Sequence, residues 1–266
     1  WPAAPVGAHH LVQRLGRRNG RTELCPPAAA GQRRRRRLAK LVKLLRHWGH
    51  EVVLKPTEHA GHATDLVTSG EAQRADRIIV AGGDGTLNEA VNGLVDHPHD
   101  SAPIMFAPLG TANVMAHELC YPTGFKGSMR ALLAGADKPV RLAVANGRHF
   151  MLMVSVGLDA WAVAGVNSNL KKAIGPLAYI ASGFVALKRY FGGLSYDVVI
   201  DDRESVKAVT VVVSRGRKYG GPFVMAPDAD LQNDSLQVML WHKGGFFGLM
   251  ELAWGLLFNR MKHIKA

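Results

Sequence analysis

The chain has 266 residues, 47% of them hydrophobic, with 33 Lys and Arg against 21 Asp and Glu, a formal charge of +12. That length suits one large domain or two ordinary ones, and the apolar content excludes wholesale disorder. Only 2 cysteines and no glycine period exclude disulfide-scaffold and collagen-like chains.

Residues 1–32 have neither a helical nor a strand period, and Ala, Gly, Pro and Arg dominate them, which predicts loop or disorder. Nine arginines and one acid, Glu23, put +8 of the charge within residues 1–37, so the basic balance describes a low-complexity tail more than a domain. Leu38, Leu41, Val42, Leu44, Leu45 and Trp48 then fall at helical spacing, predicting an amphipathic helix to about His47 that stops at Gly49. Residues 51–55 read as a strand, 63–72 as a helix and 77–81 as a buried strand, with a helix carrying Leu87, Ala90, Val91 and Leu94 after it. A strand at 103–107 and helices at 112–119 and 128–134 follow. Strands alternating with helices predict an α/β domain, a parallel sheet with helices on both faces.

The style shifts near residues 136–140, which sets a domain boundary there. Residues 140–145 and 150–155 read as a hairpin turning at Asn146-Gly147. A helix is expected at 176–191, strands at 196–201, 206–213 and 236–241, and a last amphipathic helix at 247–261. The second domain is thus expected to be mostly antiparallel β with inserted helices. The apolar stretch 246–258 is too short for a bilayer span and carries Glu251. No signal peptide is visible, and the Trp start suggests a fragment, a processed chain or a mis-set start.

The sharpest motif is Gly82-Gly83-Asp84-Gly85-Thr86, set between a strand and a helix. Its glycines let the backbone turn tightly and approach a ligand, and the following helix offers unpaired N–H groups and a positive dipole end. Together they make a phosphate cradle, though neither a Walker A loop nor a dinucleotide fingerprint. A carboxylate beside phosphates is repelled unless it holds Mg²⁺ or takes a proton from an acceptor hydroxyl, and either role for Asp84 suits phosphoryl transfer. The structural alternative is a helix cap or Asx-turn. His59 and His62 have no companions at zinc spacing, so no transition-metal site is predicted. Asp228, Asp230 and Asp234 share one short loop and suit a hard cation chemically; a solvated hairpin loop is the alternative.

Residues 80–94, Val-Ala-Gly-Gly-Asp-Gly-Thr-Leu-Asn-Glu-Ala-Val-Asn-Gly-Leu, resemble the signature of the diacylglycerol kinase catalytic domain. That superfamily includes bacterial soluble lipid kinases, sphingosine kinases and ceramide kinases. Three further blocks are similar to it: Thr57 with Gly61-His62-Ala63, residues 107–116 (Ala-Pro-Leu-Gly-Thr-Ala-Asn-Val-Met-Ala), and residues 156–160 followed by Lys171-Lys172 and 175–180. The resemblance covers about residues 38–245. It implies an NAD kinase-like nucleotide-binding domain over 38–137, a β-rich lipid-binding domain over 138–266, and γ-phosphoryl transfer from ATP, with Mg²⁺, to a lipid hydroxyl. Gly82, Gly83, Gly85 and Thr86 would wrap the phosphates, with Asp84 near the reacting centre. Thr57, Gly110 and Thr111 would line the nucleotide pocket, supported by Asn113. Asn88 and Glu89 open the following helix, with a solvated face as the alternative. Asp159 would face the lipid headgroup, and Lys171 or Lys172 would neutralise phosphate; a β-turn Asp and a surface lysine pair are the alternatives. In some bacterial members of the family, acidic residues near the positions of Asp228, Asp230 and Asp234 hold a structural Mg²⁺.

The family normally opens with an apolar strand ending in an Asn-Pro turn, which residues 1–37 do not display, so the sheet is expected to lack a strand. A later Asp-Gly-Glu motif is also absent, and both departures suggest truncation. Ala112 and Val114 stand where the commoner pattern has Gly and Asp. The implied partners are a lipid substrate, a membrane surface touched peripherally, and a second copy in a homodimer, with no nucleic acid; the implied location is cytoplasmic and membrane-associated. The rival readings are an NAD kinase-like small-molecule kinase and a non-catalytic remnant that binds nucleotide or membrane.

Overall fold

A computed structural model of the chain describes residues 9–11, 20–27, 31–69, 72–95, 103–122, 124–134, 138–157, 160, 195–203, 205–243, 251 and 254–255. Two compact units divide between Met151 and Leu152, later than the 136–140 expected from the sequence. The hairpin around Asn146-Gly147 therefore stays with the first unit.

In the first unit, the runs Arg77–Gly82 (β4) and Ile104–Pro108 (β5) are apolar apart from the half-buried Arg77 that opens β4, as strands covered on both faces must be. They pair in parallel, Ile78 against Ile104 through Gly82 against Pro108. Beside β4 lies Arg21–Cys25 (β2), parallel to it and to Glu51–Leu54 (β3). Two short strands, His9–Leu11 (β1) and Lys138–Val140 (β6), complete the order β3-β2-β4-β5-β1-β6. β1 is parallel to β5 and antiparallel to β6.

Two expectations are corrected here. Residues 1–32 contain two strands, and the opening strand thought to be missing is Arg21–Cys25, which ends in Pro26-Pro27 instead of Asn-Pro. Both of its faces are buried, and each carries a polar residue, Thr22 on one and Glu23 on the other, which hid the apolar pattern. Thr22 Oγ1 meets its partner, His50 Nδ1, 3.1 Å away and 28 positions further along.

Gln32–His47 (α1) follows β2 and ends at Gly49, whose φ is 83°. Its Leu41, Val42 and Leu45 pack on Leu24, Ile79 and Met105, together with Met129 of Gly124–Ala134 (α5). The alternate sheet residues, including Ile78, Val80 and Phe106, turn to the opposite face and are also buried. His62–Thr68 (α2), shorter than the 63–72 expected, crosses Asp84–Val95 (α3) at Gly93. A Cβ at Gly93 would lie 2.6 Å from the Thr64 carbonyl oxygen, so only glycine permits that approach. Val114–Glu118 (α4) links β5 to α5. Ala143–Ala145 (β7) and Arg148–Phe150 (β8) form a tighter hairpin than expected, with Asn146 and Gly147 at φ 50° and 76°, the left-handed pair of a type I′ turn.

The second unit is antiparallel where described. Met153–Gly157 (β9) pairs with Thr210–Ser214 (β12), which pairs with Gln237–Trp241 (β15). The segment expected as one strand at 206–213 is two: Val206–Ala208 (β11) pairs with Tyr196–Val198 (β10), and β12 begins two residues later. Lys218–Tyr219 (β13) and Phe223–Val224 (β14) form a small hairpin. Val212, Met225 and Trp241 centre its core. The helix expected at 176–191 and most of that at 247–261 lie outside the described residues.

Candidate active site

The loops after the parallel strands gather at one edge of the sheet, the carboxyl ends of β2, β3, β4 and β5. The chain leaves β2 toward β3 on one side and β4 toward β5 on the other, so strand order reverses between β2 and β4. Crevices at such reversals are where open α/β sheets bind ligands.

Two glycine loops meet there. Gly82 closes β4, and its carbonyl accepts from Leu109 N–H at 2.8 Å and Gly110 N–H at 2.9 Å. Gly110 approaches so closely that a Cβ on it would lie 2.6 Å from Gly83 Cα. A Cβ on Gly82 would in turn strike the Thr86 side chain at 2.9 Å. By contrast, a Cβ on Gly85 would meet nothing within 4 Å. Gly82 and Gly110 are thus required by packing, while Gly85 opens onto free space at the first turn of α3.

Asp84 ties the loops together. Its carboxylate accepts Val114 N–H at 3.0 Å and Met115 N–H at 2.9 Å, two of the unpaired donors at the start of α4. The helix it caps therefore lies 30 positions downstream, not the one it begins. Asn113 sits in the left-handed region at φ 48° and donates from Nδ2 to the Gly110 carbonyl at 3.1 Å. Thr86 is half-buried and Thr111 is exposed at the loop tip. Thr57 is held beside the end of β2, its N–H donating to the Pro26 carbonyl at 2.8 Å.

Asn88 does not simply face solvent. It and Asn92, one turn later, hold the backbone of β8: Asn92 Oδ1 accepts His149 N–H at 2.9 Å, and Asn92 Nδ2 and Asn88 Nδ2 donate to the His149 carbonyl at 2.9 and 3.2 Å. Asn92 was not singled out from the sequence, although its spacing of four from Asn88 puts the two on one helix face. Glu89 contributes its carbonyl, which accepts from Thr64 Oγ1 at 2.9 Å.

Asp228, Asp230 and Asp234 are exposed, and no three His, Cys, Asp or Glu side chains gather to hold a metal ion among the described residues. Asp230 Oδ1 instead accepts Gln232 N–H at 2.9 Å, the Asx-turn expected of a hairpin loop. Asp159, Lys171 and Lys172 lie outside the described residues.

Comparison with known proteins matches residues 24–145 to the diacylglycerol kinase catalytic domain and residues 152–253 to the YegS C-terminal NAD kinase beta sandwich-like domain. The first match begins inside β2. A diacylglycerol kinase of Staphylococcus aureus strain MRSA252 is 31% identical over 242 residues, 90% of this chain and 75% of its own length. One from Bacillus subtilis strain 168 is 28% identical over 82% of this chain and 72% of its own. The "Probable lipid kinase YegS-like" of Cronobacter sakazakii is 29% identical over 73% of this chain, which spans 66% of that relative. A crystal structure of a diacylglycerol kinase from Bacillus anthracis strain Sterne superimposes with a TM-score of 0.66 over 88% of this chain and 79% of its own, at 23% identity, a likeness of fold.

Proposed function

This chain belongs to the diacylglycerol kinase family, and from that premise we propose that it is a lipid kinase transferring the γ-phosphoryl group of ATP to a lipid hydroxyl. The observation that carries the reading is the pair of glycine loops locked together at the carboxyl edge of the sheet, with open space at Gly85 beside the start of a twelve-residue helix. The N–H groups of α3's first turn and its positive dipole end favour phosphate there, and the missing side chain at Gly85 leaves room for it. Thr86 in the first turn of α3, with Thr57 and Thr111 on loops at the same sheet edge, would offer hydroxyls to the nucleotide.

The fit for Mg²⁺ is narrower. No carboxylate cluster is present among the described residues, which suits an ion that enters with the nucleotide, because Mg²⁺ characteristically keeps waters and phosphate oxygens with only one or two carboxylates. Asp84 is the carboxylate on the loop and would face it. Bound there, the ion would spread the charge of the transferring phosphoryl group. Asp84's own work is then positioning: it joins the two loops through charge-assisted hydrogen bonds, so the frame around the phosphates is set before they arrive.

Among the described residues no helix is long and apolar enough to cross a membrane. We assign the acceptor step to a peripheral encounter with a lipid surface. The test is a kinase assay with labelled ATP, Mg²⁺ and mixed micelles offering diacylglycerol, monoacylglycerol, sphingosine and ceramide, with NAD as a parallel acceptor. Labelled lipid identifies the acceptor. Labelled NAD, or no product from folded chain that binds ATP, overturns the proposal.

A further inference from the structure

Helix α1 carries eight of its cations without an acid in its sequence: Arg33 to Arg37, Lys40, Lys43 and Arg46. Four of them, Arg33, Arg36, Arg37 and Lys40, recur at the i, i+3, i+4, i+7 spacing that makes one stripe along a helix. That stripe, with Gln32 and with Phe125 of α5, lines a groove of about 460 Å³. Phe125 is packed against the core, and the Arg37 guanidinium lies 6.0 Å from its ring centroid, which anchors one cation on the floor. None of the four forms an ion pair with a described residue.

This arrangement opposes helix stability. Cations in the first turn act against the dipole, and like charges three and four apart repel. The N-cap, Gly31, supplies no side-chain acceptor to compensate. A local arrangement that disfavours its own helix points to an anion outside the chain. The position selects which anion. α1 begins just after the carboxyl end of β2, the sheet edge that also carries the glycine loops, so whatever binds the groove is brought to the edge where phosphoryl transfer is proposed.

We propose that the α1/α5 groove docks the chain on an anionic bilayer, with Arg33, Arg36, Arg37 and Lys40 engaging lipid phosphates. The choice of a bilayer over a soluble polyanion rests on the lipid-kinase reading and on charge complementarity. Each Lys or Arg near an anionic surface raises partition roughly fivefold, so four give a combined effect on the order of a hundredfold or more.

The test is co-sedimentation of the full chain with phosphatidylcholine vesicles with and without phosphatidylglycerol, in the absence of nucleotide and acceptor. Binding is expected only with phosphatidylglycerol and is expected to weaken steeply with salt. The variant R33Q/R36Q/R37Q/K40Q should lose at least tenfold in partition while melting no lower than the wild type, since repulsion has been removed. An equal-charge control at exposed cations elsewhere, R74Q/K138Q/R148Q/K207Q, should lose less than threefold. Equal losses in the two variants, or tighter binding to a single-stranded RNA oligonucleotide than to vesicles, would overturn the proposal. Vesicle binding through the groove without any lipid phosphorylation would overturn the kinase reading and leave the docking surface standing.

Discussion

Gly110→Ala tests whether the contact between the glycine loops sets the site. The added Cβ would lie 2.6 Å from Gly83 Cα, 2.6 Å from Asn113 Oδ1 and 3.3 Å from Gly83 N. Carbon atoms in contact prefer about 3.5–4.0 Å, so the loops must part by roughly 1 Å. Asn113 could swing aside, but Gly83 meets the new atom with backbone and cannot. Gly110 has no positive φ, so the effect is steric and not conformational. Parting the loops strains the bonds from Leu109 and Gly110 N–H to the Gly82 carbonyl, now 2.8 and 2.9 Å. Overpacking of this kind costs about 1–3 kcal/mol, and a misplacement of roughly 1 Å at a site of phosphoryl transfer costs on the order of a hundredfold in rate. Thermal unfolding and steady-state kinetics on the identified acceptor measure both. Gly85→Ala is the comparator, because its Cβ meets nothing within 4 Å and alanine in a helix gains about 1 kcal/mol. It should melt at or above the wild-type temperature yet raise the KM for ATP severalfold, since the methyl enters the space assigned to phosphate. Wild-type melting and kcat/KM in Gly110→Ala, or wild-type ATP affinity in Gly85→Ala, would refute the reasoning.

Four further outcomes are expected. Gly93→Ala should destabilise the first unit by about 1–3 kcal/mol in urea unfolding, because the clash with the Thr64 carbonyl and Val67, each at 2.6 Å, outweighs the gain in helix propensity; a stabilised variant would show that α2 yields freely. Asn92→Ala should cost about 1–3 kcal/mol by stripping both polar groups of His149 of their 2.9 Å partner, and Asn88→Ala less; the reverse ranking in thermal melts would contradict the geometry. Burial, and secondarily Glu23, push the Cys25 thiol from 9.0 to about 12 against a smaller lowering by Lys55. A raised folded value stabilises fully below pH 9 and is lost as pH rises through about 12, with a slope of at most about 1.4 kcal/mol per pH unit. Urea unfolding across that window should therefore fall more steeply for the wild type than for Cys25→Ala, and parallel slopes would count against it. At neutral pH a thiol reagent should label exposed Cys120 and spare buried Cys25 in the folded chain.

The alternation of β4, α3 and β5, the reach of α1 to Gly49 and the type I′ turn at Asn146-Gly147 were legible in the residues, because period, glycine placement and turn chemistry are local properties. So was the glycine loop with Asp84 between strand and helix. What the residues did not disclose depends on partners far away in the chain. Arg21–Cys25 becomes a strand because β3 and β4 flank it and because His50 satisfies its buried Thr22, and nothing within its own five residues announces that. Asp84 could be read as a cap or as a catalytic group; the fold makes it the acceptor for α4, 30 positions on. The three aspartates of the 228–234 loop looked alike in sequence, yet each stays exposed and they do not converge. Spacing along a chain fixes which residues can share a helix face or a strand face. Only the packing of one element on another decides which polar groups meet, since that choice depends on which carbonyls and N–H groups the rest of the fold has left unpaired.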